Sequence, residues 1–237
     1  MCIAWALAAA PASADTLTLH FQDRPPYSAQ QADGRVRGLV AEPATAALQR
    51  ADIRFQWVLT PSQRQLSLIQ DGTGLHCGIG WFRTAERAAR GRFSAPLYQD
   101  QPLAALVRDD ALQARSAAAS DLLSQARLRL LVKDGYSYGP QLDALIASAP
   151  VPPLRTHVDP VQMAQMAQML RSGRADWMIV APEEAAVLGG PGLHLLRLSD
   201  AHAGPTRHLY CSNAVPAAWL ARIDEALLAA AHDPARR

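Results

Sequence analysis

The sequence predicts an α/β protein in which mainly parallel sheets are flanked by helices. Strand-like and helix-like segments alternate from residue 16 to residue 80, which is the pattern of a parallel α/β sheet. A second set of such segments follows from Pro102 onward. The length of 237 residues allows one large or two smaller domains, and 49% hydrophobic with 19% charged residues is typical of a globular protein.

The first part of the chain predicts three strands separated by two helices. Residues 16–21 alternate and are rich in β-favouring side chains, and residues 39–50 carry apolar side chains at helical spacing. The loop at 22–28 contains two prolines, which end the first strand and stiffen the chain behind it. We predict strands at 16–21, 55–60 and 75–80, and helices at 39–50 and 61–70.

The second part repeats this alternation. The stretch from Asp159-Pro160 to Leu170 is amphipathic, and its methionines at spacing three are typical of a buried stripe. We predict strands at 102–107, 128–132, 177–180 and 209–212, and helices at 121–126, 140–148, 159–170, from 182 onward, and at 216–231.

Residues 1–14 predict a secretory signal, and therefore an exported, periplasmic protein. The apolar run has the length of a signal core, and Ala12-Ser13-Ala14 fits the small-x-small cleavage rule. The alternative is a buried first strand or helix. No later segment is long and apolar enough to span a bilayer. The formal charge of +2 argues neither for nor against nucleic acid, and we predict no nucleic-acid partner.

The cysteines fit one disulfide. If Cys2 is removed with the signal, Cys77 and Cys211 remain, each in a short strand-like run. An exported protein meets an oxidising compartment, where two cysteines can pair. Two buried free thiols are the alternative, because cysteine is often an ordinary core residue.

Several motifs in order along the chain resemble one family. After the proline loop come a T-x-E-R motif, an F-S-x-P-x-Y motif, a glycine-containing turn at 133–139 and a G-R-A-D motif. This order resembles the family-three extracellular solute-binding proteins, which are two-lobed type II periplasmic binding proteins serving ABC transporters of amino acids and related solutes. The similarity runs over nearly the whole mature chain. Its most specific residues are Thr84, Glu86, Arg87, Phe93, Ser94, Pro96, Tyr98, Gly173, Arg174, Ala175 and Asp176.

The resemblance implies two lobes joined by two crossing strands. Lobe one would comprise 15–96 plus 209–237, and lobe two would comprise 102–203. The hinges would fall near 97–101 and 204–208. Ligand would bind between the lobes and favour their closed arrangement.

The resemblance also implies which residues contact the ligand. Arg87 matches the arginine that clamps the ligand carboxylate with a bidentate fork, although a surface arginine is the alternative. Gly80 matches a carbonyl that accepts from the ligand amine, and Tyr27 matches the aromatic side of the pocket. Tyr136 and Ser137 lie in the turn that receives the carboxylate at a helix N-terminus. The full predicted set is Arg24, Tyr27, Gly80, Trp81, Phe82, Thr84, Arg87, Tyr136, Ser137 and Glu183.

Three positions depart from the amino-acid binders. Ala181 stands where those binders place an acid for the ligand ammonium, so Glu183 or Glu184 would have to reach into the site instead. Solvated carboxylates in the first turn of a helix are the alternative for both. Phe82 replaces a small hydroxyl residue, and Arg24 adds a second arginine near Arg87, which favours a dianionic or carboxylate-only ligand.

We therefore predict a periplasmic protein that captures a small polar, carboxylate-bearing solute for ABC-type uptake, without catalysis or cofactor. Its protein partner would be an ABC permease or a membrane sensor, and we predict a monomer. The alternative is an enzyme of the small-carboxylate dehydratase type or a sensory component on the same scaffold. Such an enzyme needs a positioned acid or base, for which Glu183, Glu184 and His20 are the candidates. We find no nucleophile elbow, phosphate loop or metal-ligand cluster in the sequence.

Overall fold

The structure is a computed structural model that describes residues 16–156 and 163–232. The predicted signal at 1–14, the predicted start of a helix at Asp159-Pro160 and residues 233–237 of the predicted lobe one lie outside the described residues. Among the helices that are described, none combines the length and the apolar character needed to cross a bilayer.

The described elements are numbered in chain order. The strands are β1 (Leu17–Phe21), β2 (Ala29–Gln30), β3 (Val36–Arg37), β4 (Phe55–Leu59), β5 (His76–Phe82), β6 (Arg92–Gln99), β7 (Ala104–Arg108), β8 (Ser116–Ala117), β9 (Leu130–Lys133), β10 (Leu154–Thr156), β11 (Trp177–Val180), β12 (Leu193–Leu198) and β13 (Thr206–Cys211). The helices are α1 (Ala41–Arg50), α2 (Ser62–Asp71), α3 (Ala85–Arg90), α4 (Ala119–Ser124), α5 (Pro140–Ala147), α6 (Met163–Arg171), α7 (Pro182–Leu188) and α8 (Ala217–Ala231).

Within the described residues, one five-stranded sheet has the order β4-β1-β5-β13-β6. Strands β4, β1 and β5 are mutually parallel, and β13 runs antiparallel to both of its neighbours. The alternating residues of β1 fit its place inside the sheet, between β4 and β5, because Leu17, Leu19 and Phe21 are all buried. Helices α1 and α8 pack on this sheet and on each other. We call this sheet and its helices lobe one.

A second, six-stranded sheet in the described residues has the order β10-β9-β11-β7-β12-β8. All of its strands run in one direction except β7, which is antiparallel to β11 and β12. Asp176, in the turn before β11, accepts from the side chains of Arg108 at 2.7 Å and Arg129 at 3.1 Å, and so joins three segments of this sheet. We call this sheet and its helices lobe two.

The fold class is confirmed: each sheet is mainly parallel and flanked by helices. The single antiparallel strand in each sheet has a physical cause, because β7 and β13 are the strands by which the chain enters a lobe from the other one. Such a strand starts at the edge where the parallel strands of that sheet end. The carboxyl ends of the parallel strands in both lobes therefore face one shared cleft.

The two crossing segments, 100–103 and 199–205, lie against each other. The amide of Asp100 donates to the carbonyl of Pro205 at 3.1 Å. A Cβ atom on Gly204 would collide with the backbone carbonyl oxygens of Asp100 and Gln101, so only glycine permits this approach. Strand β6 continues to Gln99 and β13 begins at Thr206, so pairing in the first sheet reaches into both segments predicted as hinges.

The structure contains strands that the sequence pattern did not predict. Strand β12 is one of them, and β6, β8, β10 and the β2-β3 ribbon are the others. Strand β6 forms where the sequence predicted only the approach to a hinge. The return strand β13 starts three residues earlier than predicted, at Thr206 rather than 209.

Cys77 and Cys211 form a disulfide. They lie directly opposite each other on the paired strands β5 and β13, 134 residues apart in sequence. Of the two alternatives for these cysteines, the structure therefore has the bonded one. The bond ties the return strand to the strand that leads into the cleft.

Candidate functional site

The cleft between the lobes is the candidate ligand site. Its lobe-one wall comes from the loop after β1, the end of β5 and Arg87 of α3, while its lobe-two wall comes from the turn after β9 and the start of α7. These are all segments at the carboxyl ends of parallel strands. A cavity of about 60 Å³ lies between these walls.

Arg87 is placed in the wall by a short helix. The Thr84 hydroxyl caps α3 by accepting from the Arg87 amide at 3.2 Å. The guanidinium then reaches back, where Nη1 donates to the Phe82 carbonyl at 2.9 Å and Nη2 donates across the cleft to the Gly135 carbonyl at 2.8 Å. It lies 4.7 Å from the centre of the Trp81 ring.

The charge of Arg87 has no carboxylate partner among the described residues, because both of its side-chain bonds go to backbone carbonyls. The residue is only 8% exposed. Burial lowers the pKa of Arg87, with the tyrosine and carboxyl groups nearby acting in the other direction. The side chain is thus a buried cation that has further N–H donors available for hydrogen bonds.

Arg24 is half-buried in the cleft, with 18% of its side chain exposed, and it is neutralised. Its Nε and Nη2 donate to the two carboxylate oxygens of Glu184 at 2.6 and 2.8 Å, which makes a bidentate bridge from lobe one to lobe two. Tyr27 and Tyr136 flank the guanidinium, with ring centres 5.5 and 5.0 Å away. Burial acts to lower the pKa of Arg24, but the Glu184 carboxylate and the neighbouring Tyr136 and Tyr27 together raise it above the usual value.

Glu183, which was predicted to contact ligand, does not line the cleft. Its Oε1 accepts from the Tyr98 hydroxyl at 2.9 Å and from the Gln101 amide at 3.0 Å, beside the first crossing segment. Burial, followed by the hydrogen bond to Glu183, raises the pKa of Tyr98 to about 12. Successive helix residues point about 100° apart, so the neighbouring Glu184 faces the cleft instead.

Arg207 is a cleft residue that sequence reasoning missed. Its Nε and Nη2 donate to the two carboxylate oxygens of Asp100, both at 2.7 Å. Its guanidinium lies 3.6 Å from the centre of the Tyr27 ring and 4.7 Å from that of Phe82. Nη1 donates to the Gly80 carbonyl at 3.3 Å. The carbonyl that was predicted to accept from a ligand amine therefore accepts from the protein itself.

The lobe-two turn presents Tyr136 and Ser137 to the cleft. The Tyr136 hydroxyl donates to the Gln22 side chain at 2.8 Å and so spans the two lobes. The Ser137 hydroxyl donates to Asp143, which also accepts from the Tyr138 amide at 2.7 Å. This network fixes the shape of the turn ahead of α5.

Most of the predicted contacts thus come together in one place. The predicted residues that line the cleft are Arg24, Tyr27, Gly80, Trp81, Phe82, Arg87, Tyr136 and Ser137. Thr84 does not line it, because its hydroxyl caps α3. Trp81 presents a ring to the cleft while its Nε1 donates to Gln65 at 3.0 Å in the lobe-one interior. Within the described part of the chain, no group of three or more histidine, cysteine or acidic residues could hold a metal ion.

His20 lies outside the cleft. Its ring nitrogens are hydrogen-bonded to the Thr60 hydroxyl at 2.8 Å and to His76 at 3.0 Å, inside lobe one. Burial, the neighbouring His76 and Arg64 lower the pKa of His20 to about 4. This ring is a neutral core residue at ordinary pH.

Known proteins agree with this architecture. The family described as bacterial extracellular solute-binding proteins, family 3, matches residues 17–135. Holo ArgBP from T. maritima has a TM-score of 0.73 at 18% identity, covering 93% of this chain and 92% of that one. An L-arginine-bound amino acid ABC transporter substrate-binding protein from Streptococcus pneumoniae has a TM-score of 0.70 at 17% identity, covering 90% and 87%.

A third similar structure is an ancestral amino-acid-binding protein described as a precursor of cyclohexadienyl dehydratase, with a TM-score of 0.70 at 19% identity, covering 92% of this chain and 90% of that one. No curated protein matches the chain. At these identities the structural likeness shows the fold alone, and the match over residues 17–135 shows the family. The chain belongs to the bacterial extracellular solute-binding proteins of family 3 and has their two-lobed type II fold.

Proposed function

We propose that this protein is exported to the periplasm and captures a small carboxylate-bearing solute between its lobes, for ABC-type uptake or for a membrane sensor. The observation that carries the proposal is the guanidinium of Arg87, which is buried in the wall of the cleft and has no carboxylate partner in the described part of the chain.

The charge balance of the cleft supports an anionic ligand. Among the described residues that line the cleft, three are arginines, and Glu184 and Asp100 neutralise two of them. The remaining positive charge belongs to Arg87, and an uncompensated buried charge is costly. A ligand carboxylate would remove that cost.

The hydrogen-bonding capacity of Arg87 supports a carboxylate in particular. A guanidinium has five N–H donors, of which Arg87 uses one to Phe82 and one to Gly135. The remaining donors can meet both oxygens of a carboxylate, which is the geometry that arginine binds best. Because Arg87 already contacts lobe two, an anion bound there would strengthen the closed arrangement.

A binding role without catalysis is supported by where the candidate acids and bases lie. Glu184 is held in a bidentate ion pair, Glu183 is bonded at the crossing segment, and His20 is buried inside lobe one. A general acid or base must come within hydrogen-bond reach of the reacting group. None of the three offers a free group to the cleft.

A thermal-shift screen tests the proposal. Purified protein is heated with small carboxylates, amino acids and their neutral amides, and a carboxylate at a hundred times its Kd should add about 2.7 kcal/mol of stability. Arg87→Ala should lose this shift and remain folded by circular dichroism. Arg90→Ala is the matched control, since Arg90 lies on the same helix and is exposed. Equal shifts in both variants would overturn the assignment of Arg87.

A further inference from the structure

The guanidinium of Arg207 is enclosed by the same kinds of group that bind a free cation. The buried carboxylate of Asp100 accepts two hydrogen bonds from it, both of 2.7 Å. The centre of the Tyr27 ring lies 3.6 Å from the guanidinium carbon, and the Gly80 carbonyl accepts a further hydrogen bond at 3.3 Å. Arg207 is 2% exposed, yet it lines the cleft. Carboxylate fork, aromatic faces and a carbonyl together form a site for a guanidinium or ammonium group.

These partners come from parts of the chain that are far apart. Tyr27 follows β1, Gly80 and Phe82 end β5, and Asp100 lies in the first crossing segment. Arg207 lies in β13, just after the other crossing segment. One crossing thus supplies the carboxylate, and the strand that follows the other crossing supplies the cation that pairs with it.

We propose that Arg207 permanently occupies the cation subsite of this cleft, and so restricts the ligand to small carboxylates that carry no cationic group. This rests on the proposed function, the capture of a carboxylate at Arg87. The class of ligand is then a small oxo acid or hydroxy acid, in place of the corresponding amino acid.

The rest of the cleft supports this restriction. Among the described residues that line it, Glu184 is the single carboxylate, and Arg24 holds both of its oxygens. Ala181, at the end of the strand that leads into α7, adds no charge. A ligand ammonium would meet three arginines and no free carboxylate in this part of the chain, and an unpaired buried ammonium is costly.

The first test compares matched acids on the wild-type protein. Pyruvate is compared with alanine, lactate with alanine, and 2-oxoglutarate with glutamate, by thermal shift at fixed ionic strength. The oxo or hydroxy acid should stabilise the protein and its amino partner should not. An amino acid that stabilises as strongly as its partner would overturn the restriction.

The second test asks whether the subsite takes a cation once Arg207 is shortened. Arg207→Ala leaves Asp100 buried without its partner, so this variant should be less stable than wild type. Millimolar ethylguanidinium should raise its Tm by roughly 2–4 °C, with wild type unmoved and sodium chloride of equal ionic strength as the blank. If ethylguanidinium leaves the Tm of Arg207→Ala unchanged, the assignment of a cation subsite is wrong.

The double variant Asp100→Asn with Arg207→Ala is the matched control. It lacks the buried carboxylate, so it should fold without ethylguanidinium and should not respond to it; a response equal to that of Arg207→Ala would contradict the subsite. If Arg207→Ala does not fold alone, recovery of folded protein on refolding with ethylguanidinium is the readout. If Arg207→Ala responds but no carboxylate shifts wild type, the proposed function fails while the cation subsite stands.

Discussion

Removing the charge of Glu184 should open the cleft between the lobes. The loss in the free energy of unfolding should be smaller than the cost of breaking the ion pair. Glu184 is 1% exposed and is bonded at 2.6 and 2.8 Å to Arg24, which belongs to the other lobe. The variant Glu184→Gln keeps the size of the side chain and leaves Arg24 without its counter-charge. The lobes can then open, because opening exposes the Arg24 side chain to water.

The size of the effect follows from the burial of the pair. Removing one partner of a buried ion pair costs about 3–5 kcal/mol. That cost falls on the closed arrangement alone, because the open arrangement hydrates Arg24. At 1.4 kcal/mol per factor of ten, 3 kcal/mol shifts the closed-to-open ratio by roughly 100-fold.

Small-angle scattering measures the change directly as a larger radius of gyration in Glu184→Gln, and urea unfolding should show a loss of stability well below the full 3–5 kcal/mol. Glu42→Gln is the matched control, because Glu42 pairs with Arg37 at 3.7 Å on the exposed surface of lobe one alone. An unchanged radius of gyration together with the full loss of unfolding free energy would refute the reasoning. The ion pair would then stabilise the folded state as a whole and not the closed arrangement of the lobes.

Three further predictions concern stability. Replacing Cys77 and Cys211 by alanine should lower the free energy of unfolding by about 2–4 kcal/mol. The intact wild-type protein should gain the mass of two hydrogens on reduction, and an unchanged mass would rule out the disulfide. Because the pKa of His20 is lowered to about 4 from 6.5, stability should fall as the pH drops from 6.5 towards 4, by about 2 kcal/mol at pH 5. In urea titrations, His20→Asn should lose less stability than wild type over this pH range. The same dependence of stability on pH in both proteins would contradict the role of His20. Gly204→Ala should cost about 1–3 kcal/mol in urea unfolding through collision with the Asp100 carbonyl, and unchanged stability would show that the crossing segments can move apart.

Periodicity was enough to predict the central strands and the long helices. Strand β1 alternates buried apolar residues, and α8 carries a long apolar stripe, so both lie within a residue or two of their predicted bounds. Strand β12, with the sequence Leu-His-Leu-Leu-Arg-Leu, was missed. The alternation over Leu196, Arg197 and Leu198 was the signal that could have identified it.

The contacts of the cleft were harder to predict, because they depend on helix phase and on pairing between distant segments. Sequence could place Glu183 and Glu184 at the start of one helix, but which of them faces the cleft depends on how α7 packs. Arg207 pairs with Asp100 over 107 residues. A carboxylate and an arginine in the two predicted hinge segments were the available signal for that pair.

The central claim is that Arg87 holds the carboxylate of a solute bound between the lobes. Titration calorimetry of the most stabilising carboxylate into wild type and Arg87→Ala tests it most directly. Hydrogen bonds to charged groups contribute about 1.5–3 kcal/mol each, so losing two should weaken Kd by at least roughly 100-fold. A Kd in Arg87→Ala that stays close to the wild-type value would contradict the claim.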